Sequence, residues 1–235
     1  VTYVKYNDAA IGDRVTYRVA SPIPNMAGYK HYFFVVNDTM AQGLKFDITS
    51  VRVTVGGVAL EKDKVINDVA SGYTVTETQK ADGTTAIEIV FQNFIQFKDA
   101  DNVGKIIEIT YDALVTEDVE VGPTVNLNEV GLKFPANHNE DSWWDPENPD
   151  KPKPEAPVGE TPKQKVKTYV TGLKLLKTDE TGKAPLVGAE FEIAGEALNK
   201  LLVTQEVFEE DANGSYYKLK DGTYTETAPT IAADE

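Results

Sequence analysis

Residues 168–193 read TYVTGLKLLKTDETGKAPLVGAEFEI. Alternate residues Tyr169, Thr171, Leu173, Leu175 and Lys177 share one face of an extended strand, so a mostly apolar, inward-pointing row ends in a lysine. A charge at the end of such a row is out of place on an ordinary buried strand. The segment DETGK (179–183) supplies turn chemistry, and Ala189, Phe191 and Ile193 then resume the alternation. The reading is strand, turn, strand.

On the C-terminal side, EALNKLL (196–202) is a short helix candidate. VTQEVFEE, an Asn213-Gly214 turn, SYYKLK, an Asp221-Gly222 turn and TYTETAP follow as strands and turns. On the N-terminal side, residues 140–167 are rich in proline and charge and poor in aliphatic side chains, which predicts an extended linker over 139–167. Before it, strands are expected at VTYVKY, RVTYRV, HYFFVVND, DITSVRVTV, SGYTVTETQ, TTAIEIVF, GKIIEITYDALV and NEVGLKF, with SPIPN breaking the second. Asp82-Gly83 is the hairpin signal between the fifth and sixth of these. Helical periodicity is nowhere sustained. The expected class is all-β, with two immunoglobulin-like β-sandwich domains in tandem, residues 1–138 and 168–235.

Composition removes several functions. Of 235 residues, Lys and Arg number 23 and Asp and Glu 38, a formal charge of −15 that argues against nucleic acid or an anionic membrane as partner. The chain has no cysteine, so disulfides, thiolate metal sites and cysteine nucleophiles are excluded. His31 and His138, far apart in sequence, read as structural rather than catalytic. No apolar run approaches membrane-spanning length. Trp143 and Trp144 read either as a sugar-stacking platform or as packing against the preceding domain. Glu140, Asp141, Asp145, Glu147 and Asp150, like Asp99 and Asp101, lack the spacing of a calcium loop and read as solvated charge. No metal and no cofactor is expected. Val1 begins in strand-like sequence, and the chain reads as a piece of a longer protein.

Two resemblances sharpen this. The order K-x-D, x-x-G-K, L-x-G-A-x-F-x-I from Lys177 onward resembles the opening of collagen-adhesin B-type domains in surface proteins and pili of Gram-positive bacteria. That resemblance implies that Lys177 forms an isopeptide bond to a residue on its domain's last strand. The catalytic glutamate element of that family does not fit GTYTETAP (222–229): Glu226 follows Gly222 by four residues where the pattern wants six. The second domain is therefore expected to be incomplete, with no partner for Lys177 in this chain.

The first half carries A-x-I-G-D-x-V-T-Y (9–17), N-D-T-M-x-x-G-L-x-F (37–46) and N-E-V-x-L-x-F (128–134). In this order they resemble the central domain of shaft subunits of sortase-assembled pili. The resemblance implies a covalent bond between a first-strand lysine, here Lys5, and a last-strand asparagine, with a buried acid shuttling protons. Asp38 shares a face with Phe34 and Val36 and is the candidate acid. Asn128, in phase with Val130, Leu132 and Phe134, is the candidate asparagine, with Asn126 of the same parity in reserve. Singly, Lys5 also reads as an edge-strand lysine, Asp38 as a turn starter and Asn128 as a strand-entry cap. The implied protein is a structural subunit of an extracellular, cell-wall-anchored fibre and not an enzyme on external substrate. Its implied partners are a sortase transpeptidase and further copies of the subunit. The alternative is an adhesin or tip subunit binding host matrix protein or glycan.

Overall fold

The computed structural model describes residues 3–122, 124–171, 217–218 and 224–225. The chain divides into two compact units, Val1–Thr171 and Gly172–Glu235. In the first, the strands in order are β1 (Tyr6–Ala9), β2 (Arg14–Pro22), β3 (Phe34–Met40), β4 (Leu44–Val55), β5 (Val58–Leu60), β6 (Val65–Ile66) and β7 (Val69–Ala70). They continue with β8 (Tyr73–Gln79), β9 (Thr85–Phe91), β10 (Ile106–Val115), β11 (Asn126–Pro135), β12 (Val158–Glu160) and β13 (Gln164–Val170). In the second unit the described residues form one antiparallel pair, β14 (Tyr217–Lys218) and β15 (Tyr224–Thr225). Lys177 and the 196–202 helix candidate lie outside the described residues.

Period-two alternation builds the first unit. Phe34, Val36 and Met40 on β3, Ile87, Ile89 and Phe91 on β9, and Ile107, Ile109, Ala113 and Val115 on β10 turn their side chains into one shared core. A sheet with one apolar face must bury it against another layer, and two sheets do so here. One is seven-stranded, in the order β1-β13-β11-β3-β9-β8 with β12 on β11, and the other is β2-β10-β4-β5. The β8–β9 hairpin closes at Asp82-Gly83 as expected, with Gly83 at φ 80° and Asp82 Oδ1 accepting the Thr84 backbone N–H. Between β3 and β4, Gly43 has φ +82°, and a Cβ placed there would lie 2.2 Å from Val119 Cα. The glycine of N-D-T-M-x-x-G-L-x-F is thus required twice, by conformation and by space.

The segment read as an extended linker differs from that expectation. β12 and β13 pair with β11, so 158–170 belong to the first sandwich. Residues 137–156 cross the outer face of the seven-stranded sheet, where Trp143 is fully buried against Phe33, Val35 and Val90. Its Nε1–H donates to Asn137 O at 3.0 Å, and its ring meets Phe33 edge-on at 5.3 Å. Glu140 accepts the backbone N–H groups of Lys30 (2.6 Å) and His31 (3.0 Å), and Asp150 accepts that of Asn93 at 2.6 Å. Over 137–156, proline and charge keep long strands and helices out but do not prevent docking by side chains.

The phase of the opening stretch also differs. Along β13 the inward residues are Val166, Thr168 and Val170, and Tyr169 is on the opposite face. Residues SP of SPIPN stay in the ladder, because β2 is a sheet edge and Pro22 is its last residue, where a missing donor costs no inner rung.

Candidate functional site

Three strands from both sheets place polar groups at one point in the otherwise apolar interior. Alternation on β3 turns Asp38 inward, alternation on β11 does the same for Asn128, and Tyr111 comes from β10 on the facing sheet. Asp38 pairs with Val130 across the β3–β11 ladder, so Asn128 is its diagonal neighbour. Asp38 and Asn128 are each 3% exposed and Tyr111 1%.

Asn128 Nδ2 donates to Asp38 Oδ2 and to Tyr111 Oη, both at 3.0 Å, and Tyr111 Oη donates to the same Asp38 Oδ2. Burial pushes the Asp38 carboxyl up to about 6 against the hydrogen bonds from Tyr111 and Asn128, which hold it down. Burial and the neighbouring Asp38 charge hold the Tyr111 phenol well above its ordinary value. Within this group Asp38 Oδ1 and Asn128 Oδ1 are buried and have no partner among the described residues. A buried polar atom without a partner costs free energy, and a chemical role is one reason for a fold to keep it.

Asn126, also inward-facing, has a different environment. Its Oδ1 accepts Glu120 N–H at 3.0 Å, and its Nδ2 donates to Glu120 O and Thr168 O at 2.9 and 3.2 Å. It ties Glu120 to β13 through main-chain groups alone, and none of its amide hydrogen bonds goes to a carboxyl group.

Lys5 is not brought to Asp38 and Asn128. It is exposed, with Nζ 3.4 Å from Gln164 Oε1. The reason lies in strand order: β13 stands between β1 and β11. Tyr6 pairs with Lys167, and Lys167 N–H donates to Lys5 O, which sets Lys5 beside Val166. Val166 in turn pairs with Asn128. Lys5, Val166 and Asn128 therefore form one row, with the lysine one strand too far.

Tyr111 carries a signal of its own in the sequence. In IIEITYDALV it stands on the same face as Ile107, Ile109, Ala113 and Val115, and a hydroxyl in so apolar a row needs a buried partner. The remaining candidates are structural. His31 Nδ1 lies 2.9 Å from Glu140 Oε2 with its ring stacked on Trp144, and His138 stacks on Tyr29 at 4.1 Å. Burial of Trp143 removes half of the sugar platform. Among the described residues no group of three or more acidic or imidazole side chains converges as for a metal ion.

No protein-family profile and no curated protein matches this chain. Among solved structures, BcpA, the major pilin subunit of Bacillus cereus, superimposes with a TM-score of 0.50 at 18% identity, covering 95% of this chain and 60% of its own. The T6 backbone pilin of serotype M6 Streptococcus pyogenes matches at 0.49 and 17% identity, over 80% of this chain and 38% of its own. The pilus backbone protein RrgB of Streptococcus pneumoniae matches at 0.43 and 29%, over 55% and 26%. This chain spans 60% or less of the length of each of them. The likeness to BcpA is one of fold: an all-β chain of the major-pilin architecture.

Proposed function

We propose that this chain is part of the shaft subunit of a covalently assembled surface pilus, an extracellular, wall-anchored fibre whose role is to carry tension. The observation that supports this best is the buried contact of Asp38, Asn128 and Tyr111 inside a sandwich of major-pilin fold. The partners of such a subunit are further copies of itself and the sortase that links them.

The same contact supports an internal isopeptide bond at Asn128. An amine attacks a carboxamide only when uncharged, and this interior disfavours ammonium. A carboxyl held up to about 6 is available in its protonated form to polarise the amide. Asp38 Oδ1 and Asn128 Oδ1 lack a partner among the described residues, which leaves the first open to carry the acid proton and the second open to accept it. Lys5 supplies the amine if β1 pairs directly with β11 in the place of β13, since the row already aligns the two residues. The chemistry is a single turnover on the protein itself.

Intact mass of the purified protein tests the reading, because each bond expels one ammonia. The expected mass is the sequence mass less one ammonia, with peptide mapping that joins Lys5 to Asn128 and Asp38→Ala restoring the full sequence mass. A native mass equal to the sequence mass sinks the isopeptide part. A map joining Asn128 to another lysine replaces Lys5.

A further inference from the structure

We propose that Tyr111 is a catalytic residue of the bond-forming step, relaying a proton to the leaving nitrogen of Asn128; this rests on the isopeptide reading above. The carboxyl of Asp38 has to act on two sides of the amide, and the geometry divides the work. Oδ2 already accepts from Tyr111 Oη and Asn128 Nδ2, which leaves Oδ1 as the place for the acid proton. The leaving nitrogen is 3.0 Å from Oη, a hydroxyl that both donates and accepts.

The step balances as follows. The neutral amine nitrogen bonds to Asn128 Cγ, and the carbonyl π pair moves to Oδ1, which takes the proton of Asp38. The amine nitrogen, now positive, returns one proton to the Asp38 carboxylate. On collapse the Cγ–Nδ2 bond breaks, and Tyr111 gives its proton to Nδ2 while taking the one on Asp38. Asp38 then recovers the proton held on Asn128 Oδ1. One amide and one ammonia result, and acid and phenol end as they began. Free tyrosinate is disfavoured here, since burial and Asp38 hold the phenol up, so donation and replacement proceed together.

Tyr111→Phe keeps the ring that stacks on Tyr17 at 5.7 Å and meets Phe46 at 5.6 Å. Tyr17→Phe removes a hydroxyl that contacts Thr168 instead of Asn128, and serves as control. Full-length chains are sampled by intact mass at intervals after a short pulse of synthesis. Wild type and Tyr17→Phe should lose ammonia at the same rate, and Tyr111→Phe about a hundredfold more slowly. A wild-type rate in folded Tyr111→Phe overturns the proposal. If that variant does not fold, 3-fluorotyrosine at position 111 keeps the hydroxyl but changes its acidity: an altered rate or pH profile supports the relay, and an unchanged one overturns it. A wild-type chain that never loses ammonia ends the isopeptide reading and the relay with it, an outcome distinct from a closed wild type with an equally fast Tyr111→Phe.

Discussion

Asn126 and Asn128 stand two residues apart on the inward face of β11, yet the amide of the first is engaged at both ends while the carbonyl oxygen of the second has no partner among the described residues. Asn126→Ala should therefore cost about 2 to 3 kcal/mol, through the Glu120 and Thr168 groups it abandons, and leave the ammonia loss intact. Asn128→Ala should abolish the ammonia loss and, with it, a loop-closure stabilisation of about 4 to 5 kcal/mol. Intact mass and chemical denaturation of the two variants separate the roles.

Asp38 makes stability depend on pH in an unusual direction. Its carboxyl is raised by burial to about 6 from an ordinary value of 3.8, so between these limits the folded state binds more protons than the unfolded one. The Asp38 contribution to the unfolding free energy should fall as pH rises from about 4 to about 6, by about 3 kcal/mol, and level off above, against the opposite contributions of Glu129 and Glu140, whose carboxyls are held low. Asp38→Asn should flatten that slope. Urea denaturation at intervals across the window measures both, and equal slopes for wild type and Asp38→Asn would count against the buried acid.

The two tryptophans should differ sharply. Trp143→Ala empties a fully buried site under the 137–156 crossing and should cost about 3 to 5 kcal/mol. Trp144→Ala loses its stacking on His31, at 3.9 Å, and a partly buried contact with the Trp143 cluster, and should cost about 1 to 2 kcal/mol. Thermal melting compares them, and equal losses would mean that the crossing is not held by Trp143.

Gly43→Ala should be among the most damaging single-methyl changes in the first unit. The added Cβ meets the Val119 backbone and occupies a φ of +82°, so a loss of about 3 kcal/mol or more is expected, read as a lowered melting temperature.

Most of the sandwich was legible because each long strand alternates cleanly: Val15 and Tyr17 on β2, or Ile107 through Val115 on β10, name the inward face without help. Asp38 and Asn128 were legible for the same reason. What the sequence hid were relations between distant segments. Packing of Trp143 on the preceding domain was legible, but nothing local to 140–167 reveals the crossing pinned by Glu140 and Asp150 under which it fits. The position of Lys5 depended on β13 entering the sheet beside it, and a seven-residue strand set between prolines and lysines carries only Val166, Thr168 and Val170 as its signal. Tyr111 was hidden in plain view, since an aromatic ring on an apolar row reads as core until its hydroxyl is asked for a partner.

The parallel pairing of β1 with β13 decides how the first unit meets tension. Parallel neighbours leave a sheet at opposite ends, so a pull on residue 3 against residue 171 slides the two strands lengthwise. The rungs from Tyr6–Lys167 to Ala9–Val170 are then loaded together in shear, whereas a hairpin pulled at its open end yields one rung at a time. The same few hydrogen bonds resist more force in this direction than in any peeling one, which gives the unit a strong axis set by strand order alone.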